Sequence, residues 1–121
     1  MKKRQIRKLP KRGEIWLVNF DPSIGVEIKK TRPALIIQNN AGNFASEATI
    51  VAAITSSQRL SRSFEVKVNT SEGGLKKNSL ILLQQIRTID KRRLVRRLGR
   101  INGKTLEKAE IALKISLDLG G

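Results

Sequence analysis

Apolar and polar residues alternate along the chain in short runs, a pattern that predicts strands rather than long helices. Polar segments that contain Gly, Asn or Ser separate these runs, as is typical of the loops between strands. We therefore predict five or six short strands, within 14–20, 34–37, 48–55, 64–68, 79–88 and 98–101. Short strands that are connected mostly by loops favour a small, mainly antiparallel β barrel.

Near the C-terminus the apolar residues take up helical spacing. Leu106, Ala109, Leu113 and Leu117 recur three or four residues apart, which predicts one amphipathic helix at 104–117. The chain shows no internal repeat and no second apolar core, so we expect one folded domain.

The segment 25–39 changes from a polar, basic loop to a buried strand. Pro33 biases Arg32 toward extended backbone and fits the first residue of a strand, and the apolar run 34–37 follows. Arg32 is therefore expected where a loop meets a rigid core, a position suited to binding phosphate. An ion pair with a carboxylate at the strand end is the alternative interpretation.

Charge is the strongest signal in the composition. The chain carries 25 Lys and Arg against 10 Asp and Glu, a net charge of +15. A positive field of this size favours polyanions, so nucleic acid is the expected partner. Few aromatic residues are available for base stacking, and phosphate contacts should supply most of the affinity.

The N-terminal segment 1–12 holds seven basic residues and no acidic one. Repulsion between like charges predicts a flexible arm, followed by a folded domain at 13–121. The arm either binds RNA nonspecifically or is simply solvated. No apolar run approaches the roughly 18 residues of a membrane span, and we expect a cytoplasmic protein without a membrane partner.

The composition excludes several kinds of catalysis. Histidine and cysteine are absent, which removes paired-histidine ribonuclease chemistry, the Ser-His-Asp triad and thiolate or imidazole metal sites. With few and scattered carboxylates, a two-metal nuclease centre is not expected, so we predict no metal and no cofactor. RNA cleavage remains possible because the 2′-hydroxyl of RNA is a built-in nucleophile.

Such a reaction needs charge stabilisation at phosphorus and a base. Arg32 can provide the charge through its guanidinium, and Thr55 can donate a hydrogen bond to the same phosphate. Glu27 is the one carboxylate in the basic loop and the candidate base, although it could instead hold the loop closed. Gln85 and Arg87 lie two residues apart on one strand face, where they can bind RNA or form a surface pair.

The segments RGEIWLVNFDPSIGVEIKKTRPALIIQN, TIVAAITS and GLKKNSLILLQQIRTIDKRRL, in this order, resemble the MazF/PemK toxins of bacterial toxin–antitoxin pairs. The resemblance extends from about residue 12 to residue 119. It implies an SH3-like (CcdB/PemK-type) antiparallel barrel with a C-terminal helix, a homodimer, and metal-free cleavage of single-stranded RNA at short sequences. It also implies a cognate antitoxin that lays an acidic tail over the RNA site.

The resemblance assigns catalytic roles to Arg32, Thr55 and, as in some members, Glu27. It places RNA near Gln85 and Arg87, and the neighbouring polar residues complete the expected RNA-binding set: Lys29, Lys30, Thr31, Ser56 and Ser57. A dimer contact would include Ile86, Leu94 and Ile115. Two alternatives stay open, namely a CcdB-like toxin that inhibits DNA gyrase without cleaving anything and a noncatalytic RNA-binding barrel.

Overall fold

The computed structural model describes residues 8–120. Residues 1–7 of the predicted flexible arm lie outside this range. Residues 8–12 lie against the domain: Pro10 is buried, and Arg12 donates from Nη2 to Glu110 Oε2 at 2.9 Å. No helix among the described residues is long and apolar enough to cross a membrane.

Six strands form one antiparallel sheet in the order β4-β5-β3-β2-β1-β6. Two helices complete the fold, and the second follows β6 at the C-terminus. The elements are β1 Glu14–Asn19, β2 Thr31–Ile36, α1 Asn40–Ala45, β3 Ala48–Ser56, β4 Glu65–Val68, β5 Ser79–Asp90, β6 Leu94–Arg100 and α2 Gly103–Ser116. The prediction of a mainly β, antiparallel fold with a C-terminal helix is confirmed.

The sheet does not close into a barrel. Among residues 8–120, the edge strands β4 and β6 each have one neighbour and do not pair with each other. A 3₁₀ turn at Glu72–Gly74, between β4 and β5, packs against β6 instead. The backbones meet so closely that a Cβ on Gly74 would lie 2.1 Å from the Leu98 carbonyl oxygen, and one on Gly99 2.5 Å from the Gly73 carbonyl carbon. The turn, rather than a ladder of hydrogen bonds, joins the two ends of the sheet.

Alternate residues of the strands fill two apolar clusters on opposite faces of the sheet. One cluster lies beneath α2, whose Ala109 and Ala112 are buried in it. The other contains Trp16, Val18 and Phe20 of the first strand and its extension, and half-buried Ile28 packs against it. The loop between β1 and β2 therefore covers part of the second face.

Strand β2 begins at Thr31, two residues before Pro33, so the prediction that Pro33 opens the strand was wrong. Pro33 pairs with Leu17 of β1, whereas the ladder to β3 starts only at Ala34. A proline lacks the N–H that a ladder on both sides would need. The strand tolerates it because β3 is not paired to it there.

The polar segment between β2 and β3 contains a short helix, α1. Asn39 caps it by accepting a hydrogen bond from Gly42 N at Oδ1, at 2.7 Å. A 3₁₀ turn at Lys91–Arg93 joins β5 to β6, with Asp90 Oδ1 accepting from Arg92 N at 2.8 Å. Helix α2 lies within one residue of its predicted bounds.

Candidate active site

Arg32 and Thr55 lie on adjacent strands and on the same face of the sheet. The ladder between β2 and β3 pairs Ala34 with Ala53, and this register continued by two residues places Arg32 opposite Thr55. Arg32 is exposed and Thr55 is half-buried. Within residues 8–120 the guanidinium of Arg32 has no hydrogen-bond or ion-pair partner. The alternative of a structural ion pair at the strand end is therefore not realised there.

Arg32 lines a cavity of about 280 Å³, here termed the cationic cavity. Its rim also carries Lys76 and Lys77 from the loop before β5 and Arg96 from β6. Ser56 lines the same cavity, and no carboxylate does. An opening edged by four cations and a hydroxyl is suited to a phosphate chain.

Sequence reasoning did not select Lys76, Lys77 and Arg96 for the site. They come from separate segments that meet because the Glu72–Gly74 turn packs on β6. The available signal was the pair of lysines directly after two glycines, since a glycine turn can bring a loop close to another backbone.

A second cavity, of about 170 Å³, lies beside the loop between β1 and β2. Glu27, Gln85 and Arg87 line it together. Gln85 binds the loop twice: Oε1 accepts from Ile28 N at 3.3 Å, and Nε2 donates to Val26 O at 3.2 Å. Arg32 and Ser56 thus line the first cavity, and Glu27, Gln85 and Arg87 line the second, whereas Thr55 lines neither of them.

Two features of β5 hold the loop between β1 and β2: the side chain of Arg87 and a bulge in the strand around Gln85. Arg87 Nη1 donates to the Phe20 carbonyl at 2.9 Å. In the ladder of β3 with β5, Ala52 pairs with Ile86 but Ala53 pairs with Leu82. Three β5 residues are left opposite no β3 residue, and Gln85 is one of them, so its side chain is released from regular alternation and reaches the loop.

Glu27 is exposed and closes its own turn. Oε1 accepts from Ile24 N at 2.6 Å, and Glu27 N donates to Ile24 O at 3.1 Å. The other carboxylate oxygen has no hydrogen-bond partner among the described residues. One oxygen thus holds the loop while the second is open to a ligand.

The remaining predicted RNA-binding residues are arranged along the two strand ends. Lys29, Lys30 and Thr31 are exposed, and Lys30 has φ of 64°. Its backbone N–H donates to Asp21 Oδ1 at 2.9 Å, which stabilises this left-handed conformation. Ser57 is half-buried, and its hydroxyl accepts from Arg59 N at 3.2 Å.

Glu65 anchors the loop that follows these hydroxyls. Arg59 donates from Nη1 and Nη2 to its two oxygens, each at 2.8 Å, and Gln84 Nε2 donates to Oε2 at 2.8 Å. These hydrogen bonds, led by that of Arg59, lower the pKa of the buried Glu65 carboxyl to about 2. Gln84 thereby links this ion pair to the bulge that positions Gln85.

The three predicted dimer residues differ in accessibility. Ile115 is 48% exposed on α2, and Ile86 is half-buried. Leu94 is 1% exposed within a single chain, so its side chain belongs to the core and offers no contact surface. Apolar burial near the start of β6 explains the sequence signal at this position.

A family model described as the PemK-like, MazF-like toxin of type II toxin–antitoxin systems matches residues 11–117. The chain belongs to this family. The match selects the PemK/MazF toxins over the CcdB-like alternative.

Two curated relatives are similar over most of the PemK/MazF chain. It is 40% identical over 110 residues to the endoribonuclease EndoA of Bacillus subtilis strain 168, covering 90% of this chain and 95% of the relative. It is also 40% identical over 112 residues to the endoribonuclease MazF of Staphylococcus saprophyticus, covering 90% and 92%.

Solved structures share the fold. MazF of Deinococcus radiodurans superposes with a TM-score of 0.80 at 24% identity, covering 93% of this chain and 100% of that one. A mycobacterial endoribonuclease in complex with its cognate antitoxin gives 0.78 at 24%, covering 93% and 98%.

Proposed function

We propose that this PemK/MazF-family toxin is a metal-independent, sequence-specific endoribonuclease that cleaves single-stranded mRNA. The observation that carries the proposal is the unpaired Arg32 guanidinium, which lies near the start of β2 and lines a cavity together with three further cations and no carboxylate. Two relatives at 40% identity are named endoribonucleases, which supports the same activity.

In the proposed reaction the 2′-hydroxyl attacks the adjacent phosphorus. The bond from O2′ to phosphorus forms and the bond to O5′ breaks, leaving a 2′,3′-cyclic phosphate and a free 5′-hydroxyl. A base takes the 2′ proton, and a proton is delivered to O5′. Arg32 stabilises the negative charge that grows on the phosphoryl oxygens, and Thr55 donates a hydrogen bond to them.

Glu27 is the proposed base, acting through the carboxylate oxygen that does not bind Ile24 N. Comparing Glu27→Gln with Glu27→Ala separates this role from a purely structural one. Gln keeps an oxygen acceptor for Ile24 N but cannot take a proton. If Glu27 is the base, either substitution should lower the single-turnover rate constant for cleavage about 10²- to 10⁴-fold. Retained activity in Glu27→Gln would leave Glu27 as a loop residue only.

The proposed partners follow from the charges around the site. Single-stranded RNA would lie along Lys29, Lys30 and Arg87 and pass Arg32. A cognate antitoxin with an acidic segment would compete for the same cations, as suggested by the mycobacterial structural neighbour solved with its antitoxin. We also propose a homodimer in the cytoplasm, with Ile86 and Ile115 near the contact.

The decisive experiment incubates the protein with a long single-stranded RNA in EDTA beside Arg32→Ala. Cuts are mapped by primer extension and the new ends are analysed. We expect the wild type to make discrete cuts that bear 2′,3′-cyclic phosphates. We expect the cleavage rate of the Arg32→Ala variant to be at least about 100-fold lower. The control is Lys108→Gln, which removes one positive charge from an exposed position on α2. Intact RNA that is still bound would overturn the enzyme proposal and favour the noncatalytic RNA-binding alternative.

A further inference from the structure

We infer that the cationic cavity is a nucleotide subsite next to the scissile phosphate, with Lys76, Lys77 and Arg96 binding the flanking backbone phosphates of the RNA. The inference rests on the proposed function and adds residues and a path for the strand. It concerns segments outside the predicted catalytic and RNA-binding set.

The cavity combines two chemistries that a nucleotide requires. Its apolar lining comes from the strands and the loop before β5, namely Leu17, Pro33, Ile54, Leu75 and Leu98. Its rim carries Arg32, Lys76, Lys77 and Arg96. A base can lie on the apolar lining while the phosphates on either side remain at the charged rim.

The rim cations are available for a ligand. Among residues 8–120, the side chains of Lys76, Lys77 and Arg96 form no ion pair or hydrogen bond, and all three are exposed. The neighbouring Arg97 differs, since its Nε donates to Glu14 Oε2 at 2.7 Å. Along β6, one arginine is therefore used in the fold and the adjacent one is left facing the cavity.

The backbone fixes the positions of these charges relative to one another. Gly73 and Gly74 have φ of 66° and 78°, and their turn packs directly on Leu98 and Gly99 of β6. Lys76 follows this turn by two residues, and Arg96 precedes Leu98 by two. The lysine pair and the arginine are thus held at the same opening without a direct contact between their side chains.

The cavity continues into a longer polar groove. A neighbouring cavity of about 530 Å³ shares Ser56, Lys76 and Lys77 with it and extends past Gln58 and Thr70. No residue of this groove lines the cavity that contains Glu27 and Gln85. An RNA strand bound at Arg32 can therefore extend along the lysine pair without entering that second cavity.

The test measures binding of a single-stranded RNA in which every 2′-hydroxyl is replaced by 2′-O-methyl, so that no position can be cleaved. Affinity is determined at several salt concentrations for the wild type and for the double variant Lys76→Gln/Lys77→Gln. The matched control is Lys104→Gln/Lys108→Gln, which removes the same charge from exposed positions on α2. Arg96→Gln is measured separately.

Each lost phosphate contact should reduce the slope of log affinity against log salt by about 0.7 for a single strand. The lysine double variant should therefore lose about 1.4 in slope, and its Kd should rise about 5- to 30-fold. The control should retain the wild-type slope to within the small effect of net charge. Circular dichroism confirms that each variant is folded.

Three results would overturn the inference. One is a slope for the lysine double variant equal to that of the control. Another is a slope lost equally in both double variants, which would indicate general charge only. The third is weakened binding of a polyglutamate peptide with unchanged RNA binding, which would assign the groove to an acidic protein partner. Failure of the wild type to cleave RNA in EDTA tests the proposed function separately, since binding is measured independently of cleavage.

Discussion

Replacing Glu65 by Gln should destabilise the protein in a pH-dependent way. The carboxylate is buried, binds Arg59 through both oxygens and also accepts from Arg62 N and Gln84. Gln keeps the shape but loses the charge and turns one acceptor into a donor that faces Arg59. The ion pair and its hydrogen bonds are therefore removed without creating a cavity.

The magnitude follows from the pKa of Glu65. A fall from 4.5 to about 2 corresponds to about 3 kcal/mol of stabilisation of the folded state at neutral pH. Because the Arg59 side chain is 41% exposed, solvent screening reduces the expected value to about 2 kcal/mol. A lowered carboxyl pKa stabilises above the unfolded value, so the contribution is complete above about pH 4.5 and is lost as pH falls toward 2.

Urea unfolding monitored by Trp16 fluorescence, at pH 7 and at pH 2.5, measures the effect. The free energies of unfolding of wild type and Glu65→Gln should differ by about 2 kcal/mol at pH 7 and by about a quarter of this at pH 2.5. Asp90→Asn is the control: it retains the cap to Arg92 N and removes only an exposed ion pair, so its effect should be much smaller. An equal difference at both pH values would refute the assignment of this stability to the ionised carboxylate.

Three further outcomes are expected. Gly99→Ala should lower stability by about 2 kcal/mol in thermal unfolding, because its Cβ would meet the Gly73 backbone. Gly103→Ala is the control and should have no such effect, because open space surrounds Gly103. Equal effects of the two substitutions would contradict the close packing. Gln85→Leu should speed hydrogen exchange at the Ile28 amide about 10-fold by removing both loop hydrogen bonds, and unchanged exchange would show that they do not hold the loop. Arg32→Lys should reduce single-turnover cleavage at least about 10-fold since lysine cannot bind a phosphate bidentately, whereas full activity would reduce the role of Arg32 to a point charge.

The sequence predicted those features that depend on local pattern. Apolar runs and alternation placed five strands close to their observed bounds, and helical spacing located α2, because burial imposes a pattern on the sequence. The sixth strand begins at Leu94, four residues before its predicted start. Arg32 was placed at a strand end by the proline that follows it. The position of that strand's start was two residues wrong, since whether a proline is tolerated depends on which neighbouring strand is paired beside it.

Features that depend on contacts between distant segments could not be predicted in this way. The cationic rim requires Lys76 and Arg96 to meet, and their meeting depends on close backbone contact between Gly73 and Gly99. The division of the site into two cavities depends on the bulge in β5. The resemblance implied a dimer contact at Leu94, but its side chain is 1% exposed within one chain, and the sequence alone does not distinguish the inside of one chain from an interface.

The open sheet leaves β6 as an edge strand that the Glu72–Gly74 turn covers around Leu98 and Gly99, and an edge strand is a surface to which strands of other molecules can add. Arg96, Arg97 and Arg100 lie along this edge and are exposed. Their mutual repulsion opposes the stacking of one chain on another, so the cations also protect the protein from aggregation. Neutralising several of them would therefore lower solubility.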